Sequence, residues 1–154
     1  VTTTTPTAGT RRTLRFDSFE DLLAEVDRLQ SAGYARLGNW SLGQICEHLQ
    51  LTMDIALHGK PFAWALRATL GRVILKKLTR RQMPAGIKAL KRTQPADGLN
   101  DADGVARLKA RIAEAQADPR PVILHPFFGK VDKATWTLTQ LVHAEHHLGF
   151  LLPK

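Results

Sequence analysis

Wherever apolar residues are dense in this chain, they recur at spacings of three and four rather than two, and that periodicity commits it to helices. In DSFEDLLAEVDRLQSAG, Phe19, Leu22, Leu23, Val26 and Leu29 form one stripe. Asp17 or Ser18 caps its start, Glu20 and Asp21 suit the dipole of its first turn, and Gly33 supplies the stop. In NWSLGQICEHLQLTMDIALHG, Ser41 and Gln44 make a capping box, and Leu42, Ile45, Cys46, Leu49, Met53 and Ala56 share a face. PFAWALRATLGRVILKKLTRRQ is a shorter helical stretch whose apolar side is Phe62, Leu66, Leu70, Val73 and Leu78. DADGVARLKARIAEAQAD turns Val105, Leu108, Ile112 and Ala115 inward. KATWTLTQLVHAEHHLGFLL, capped by Asp132, is the last helix.

RPVILHPFFGKV is too short and too Pro-bounded for a helix and reads as an ordered loop, and MPAGIKALKRTQPADGLN reads as a long irregular connection. No segment alternates with hairpin turns. The expected class is all-α: an antiparallel four-helix bundle with a long basic connection between its second and third helices. Residues 1–13, opening on the low-complexity VTTTTPTAGT, are expected as a disordered tail, and 14–154 as a single domain.

The formal charge of +8 is concentrated in one segment. Between Lys60 and Arg92 there are ten Lys or Arg (60, 67, 72, 76, 77, 80, 81, 88, 91, 92) and no Asp or Glu. The remaining twelve basic and fourteen acidic residues sum to −2. The segment reads as a solvated helix face, as an amphipathic element on anionic membrane with Phe62, Trp64 and Leu66 between the charges, or as a funnel for an anionic substrate such as a carboxylate-bearing thiol. Nucleic acid is disfavoured, because the rest of the domain is slightly acidic and no binding motif is present. A single cysteine, Cys46, excludes an internal disulfide, and no stretch reaches the ~20 apolar residues of a membrane span, so a cytoplasmic protein is expected. The oligomeric state is open, with a homodimer compatible.

Three of the six histidines crowd into LVHAEHHLGF. On a helical wheel Trp136, Gln140, His143, His147 and Phe150 share one face, and His143 and His147, four apart, can reach a common ion. His146 points roughly sixty degrees off the direction of His143 at the ~100° helical step. His48, mid-helix beside an apolar face, is the candidate third ligand; a core histidine bonded to a carbonyl is the alternative. His125, before Pro126, either approaches the site as an acid–base group or fixes its own loop through the backbone. Three imidazoles suit Zn, Ni, Cu or Fe and leave a coordination position free for water or substrate. No Ser-His-Asp arrangement and no phosphate loop is present.

NWSLGQICEHL, with its W-x-x-x-x-I-x-x-H-L spacing, and HAEHH, with its H-x-x-x-H, resemble the signatures of the DinB-like (YfiT-like) superfamily, in an uncharacterised branch. The resemblance implies a four-helix bundle with a three-histidine divalent-metal site at His48, His143 and His147, holding Zn, Ni or Fe. It also implies thiol-dependent transferase or hydrolase chemistry on a small molecule, with catalytic residues unassigned. The competing expectation is a non-catalytic metal-binding or interaction domain that docks through its basic segment.

Overall fold

The structure is a computed structural model. It describes residues 11–59, 71–81, 83 and 89–154, so the sequence readings that fall on 1–10, 60–70, 82 and 84–88, Phe62 and Trp64 among them, lie outside the described residues. The helices are α1 (Phe19–Ala32), α2 (Leu42–His58), α3 (Arg72–Thr79), α4 (Asp101–Ala117) and α5 (Lys133–Leu148), with a 3-10 turn at Lys91–Thr93 before α4. Four short strands accompany them: β1 (Tyr34–Arg36), β2 (Val122–His125), β3 (Gly129–Asp132) and β4 (Leu151–Pro153).

The helix starts follow from local chemistry. Ser18 and Asp21 exchange side-chain and backbone hydrogen bonds at the start of α1, and Ser41 and Gln44 do the same for α2. Asn100 and Asp132 cap α4 and α5 through the amides of Asp103 and Thr135. The inward faces are those of the wheel. Phe19, Leu22, Val26 and Leu29 of α1, the six named positions of α2, and Val105, Leu108, Ile112 and Ala115 of α4 all enter one core.

The pure all-α four-helix bundle is corrected on two counts: five helices are present among the described residues, and two antiparallel two-stranded sheets join them. The stretch read as a loop is a hairpin, with Val122 opposite Asp132 and His125 opposite Gly129. Its alternation is real, since Ile123 and His125 are buried and Val122 and Leu124 exposed, but three consecutive apolar residues conceal it in the sequence. Gly129, at φ 77°, supplies the left-handed backbone of the turn. The last helix stops at Leu148 instead of continuing to Leu152. Leu151–Pro153 pair with Tyr34–Arg36, tying the exit of α5 to the segment that leads into α2.

Helices α2 and α4 form the most extensive helix pair, and glycines let them approach. A Cβ on Gly104 would lie 2.2 Å from the carbonyl oxygen of Gly43, and one on Gly43 would lie 2.4 Å from that of Asn100. Within the stretch expected as a tail, residues 1–13, the Arg12 amide donates to the carbonyl of Gly149, and its buried guanidinium pairs with Glu25 at 2.7 Å.

Candidate metal centre

His48 enters the site from α2, and His143 and His147 enter from adjacent turns of α5. One ring nitrogen of each lies within 4.8 Å of the others. The Nε2 atoms of His48 and His143 are 3.1 Å apart, and those of His143 and His147 are 3.0 Å apart. Two nitrogens each ~2.1 Å from one ion sit roughly 3.0–3.4 Å apart at octahedral to tetrahedral angles. The spacing therefore suits a shared ion.

The other ring nitrogens decide the protonation pattern. His48 Nδ1 lies 2.7 Å from the Thr93 carbonyl oxygen, which can only accept, so Nδ1 carries the proton and Nε2 is bare. The Thr52 hydroxyl donates to Leu49 O at 2.8 Å and thus presents a lone pair to His143 Nδ1 at 3.5 Å. At 3.5 Å that contact is at the limit of a hydrogen bond, so the His143 proton resides either on Nδ1 or on Nε2, between the Nε2 atoms of His48 and His147. With the proton on Nδ1, the Nε2 lone pairs of His48 and His143 face one another, an arrangement that a shared cation would relieve; with it on Nε2, His143 donates to one of its two neighbours. An additional proton, which would make an imidazolium, is disfavoured. Burial first, and the neighbouring imidazoles second, hold His143 and His147 far below the ordinary histidine range, and burial lowers His48 despite its bond to Thr93. The Trp40 ring closes one side, 4.9 Å from the His48 ring and 5.6 Å from that of His147, nearly parallel to the latter.

The remaining sequence candidates divide. His146 is outside the converging trio, as the wheel placed it, and its Nδ1 meets the Arg11 guanidinium. Burial, then Arg11, lowers its pKa to about 4. His125 fixes its own turn: Nδ1 accepts from the amides of Phe127 at 3.1 Å and Phe128 at 3.3 Å. Trp136 is only 1% exposed in the core, away from the site. Cys46 is fully buried, and burial pushes its thiol up to about 12, so it offers no nucleophile. Glu145 pairs with Arg81.

The trio forms part of the wall of a cavity of about 580 Å³. Thr52, Ile55, Phe127 and Phe128 line it, and Ile74, Leu78, Met83 and Leu90 contribute from the basic segment. No Lys, Arg, Asp or Glu is among its described lining residues. The sequence reading placed Leu78 on the apolar side but put Val73 there in place of Ile74. Val73 is 55% exposed, while Ile74 and Leu78, four apart, face the cavity. It also missed Thr93, whose carbonyl is brought to His48 from forty-five positions away by tertiary structure alone.

The family model that matches is described as "Protein of unknown function (DUF1569)", and no DinB-like model matches, so the DinB-like assignment is withdrawn. Its short motifs, a capped helix start beside an aromatic residue and an i, i+4 histidine pair, are local helix features and so do not separate families. No curated protein and no solved structure matches the chain. With residues 8–154 covered by that model, the chain belongs to the family DUF1569.

Proposed function

We propose that the protein binds one divalent transition-metal ion through His48, His143 and His147 and acts as a small metalloenzyme on a molecule held in the adjoining cavity. The observation that carries this reading is the convergence of three imidazoles from two helices, with Nε2 atoms 3.1 and 3.0 Å apart, the spacing of ligands on one ion, and with His48 Nε2 left bare by the bond from Nδ1 to Thr93. A bound ion supplies Lewis acidity and lowers the pKa of coordinated water, which suits hydrolytic chemistry. The chain's own contribution is positional. Thr93 sets the orientation and tautomer of His48, Trp40 screens the trio, and the apolar walls keep bulk water from the substrate.

Calorimetric titration with Zn, Ni and Fe(II), together with metal analysis of the purified protein, tests this. One equivalent binds to the wild type, and affinity falls at least about tenfold for each of His48→Ala, His143→Ala and His147→Ala, the scale of losing a ligand or its support. His146→Ala retains binding. Equal loss in all four variants contradicts the proposed ligand set.

A second reading concerns the outer side of α3. Arg72, Lys76, Lys77 and Arg80 are exposed around the exposed Val73, with no ion-pair partner among the described residues. This face suits an anionic membrane surface. No helix among the described residues is long and apolar enough to cross a membrane.

A further inference from the structure

His125 is only 7% exposed, and it lines the cavity. Its Nδ1 already accepts two backbone amides, those of Phe127 and Phe128. An imidazole nitrogen that accepts bears no proton, so in the neutral ring the proton resides on Nε2. Among the described residues Nε2 has no hydrogen-bond partner, and it is not among the buried polar atoms sealed from solvent. The ring is stacked at 4.1 Å on Phe128, interplanar angle 11°, which fixes its plane. Burial alone lowers its pKa to about 4, so the ring is neutral at physiological pH. The turn therefore holds one oriented N–H donor at the cavity wall, and that nitrogen cannot serve as a base.

The rest of the wall narrows what that donor meets. Its described residues include Ile55, Phe127 and Phe128 with Thr52, Gln94 and Gln140 as uncharged polar groups and no charged side chain, so an ammonium would lose its hydration without a counter-ion, and a carboxylate would find one only in an ion held by the histidine trio. We propose that His125 is a specificity-determining hydrogen-bond donor to the cavity's occupant, an uncharged amphiphile with an apolar body of aromatic size and a carbonyl or similar acceptor oxygen. That this occupant is also a substrate rests on the metal-centre reading; its binding does not.

Two measurements test the inference, each made with and without EDTA so that the ion is not a variable. The first is the ring tautomer, read by long-range proton–nitrogen correlation on labelled protein at neutral pH. His125 is expected as the Nε2–H form, and an Nδ1–H form overturns the proposal. The second compares the binding of acetophenone and ethylbenzene, a carbonyl compound and a hydrocarbon of like shape, to the wild type and to His125→Asn. The Asn oxygen can replace Nδ1 as acceptor for the turn but cannot extend a donor to the Nε2 position. The affinity for the ketone relative to the hydrocarbon should fall about tenfold in the variant, the scale of one hydrogen bond. A change below twofold, or no saturable binding of either probe to the wild type, overturns it. Loss of metal binding in the calorimetry above, with this ratio intact, removes the metal reading and leaves this one standing.

Discussion

Arg81 ends α3 with a left-handed backbone, φ 55°, and ion-pairs with Glu145, the neighbour in sequence of the cavity-lining His146. The same guanidinium donates to the Phe16 carbonyl at 3.0 Å, while the Phe16 amide donates to Glu145 at 2.8 Å. One side chain thus fastens α3, the roof of the cavity through Ile74 and Leu78, to the helix that carries His143 and His147. Burial raises the Glu145 pKa, and the Phe16 amide and Arg81 oppose that rise. Arg81→Ala leaves a half-buried carboxylate without its counter-charge. It should cost about 1–2 kcal/mol, less than for a fully buried pair because Arg81 is partly exposed. Glu145→Gln keeps an acceptor for Phe16 and should cost less. Hydrogen exchange checks the geometry: amides of 72–80 should exchange faster in Arg81→Ala, and unchanged rates would show that the roof is held by other contacts.

Gly104→Ala tests the contact between α2 and α4. The added methyl would sit 2.2 Å from a backbone oxygen of Gly43, and backbone cannot step aside as a flexible side chain can. Overpacking of this kind costs about 3 kcal/mol, against a helix-propensity gain of about 1 kcal/mol from replacing glycine. Urea denaturation should therefore show a lower midpoint at an unchanged slope. A variant as stable as the wild type would mean that the helices can separate at no cost.

Acid should destabilise the metal-free protein in a defined window. The His125 pKa falls from its ordinary value of 6.5 to about 4 on folding, through burial. Between those values the unfolded chain binds more protons than the folded one. The contribution of His125 is therefore complete above pH ~6.5 and is lost as pH falls toward ~4, by of the order of 3 kcal/mol. Chemical denaturation in EDTA at stepped pH should show a shallower acid slope for His125→Asn than for the wild type. Parallel slopes would remove His125 as the group responsible.

The outer face of α3 predicts salt-dependent adhesion. Vesicles containing phosphatidylserine should sediment the protein at low salt. Release is expected at physiological ionic strength and above, where the Debye length is ~8 Å or less. Reversing Arg72, Lys76, Lys77 and Arg80 to Glu should abolish the association. Arg81 is left unchanged because its charge is engaged by Glu145 and Asp17. Failure to sediment at low salt makes this face a solvated cover.

The legible parts of this molecule are those decided within a few residues. Ser18 with Asp21 and Ser41 with Gln44 mark helix starts because capping is local chemistry. His143 and His147 could be paired from their spacing because the helix fixes the i, i+4 geometry. His48 could be proposed as the third member from its position beside the apolar face, although its partner Thr93 could not. The hairpin was hidden because Val122 and Leu124 are apolar yet exposed, which erases the alternation that identifies a strand. The β1–β4 pairing joins two three-residue segments too short to carry a pattern. On α3 Leu78 was placed inward correctly and Val73 was not, because burial there depends on α5, which no local rule anticipates.

His48 and His143 are ninety-five residues apart, and the strands flanking their helices join Tyr34–Arg36 to Leu151–Pro153. Closing so long a loop has an entropic cost before any contact across it is gained, so the triad belongs to the late, cooperative part of folding. No fragment containing only one of the two helices holds all three imidazoles. Occupancy of the centre would consequently report the completed chain, and an ion bound there would act as a clasp, adding its binding free energy to the stability of the folded state.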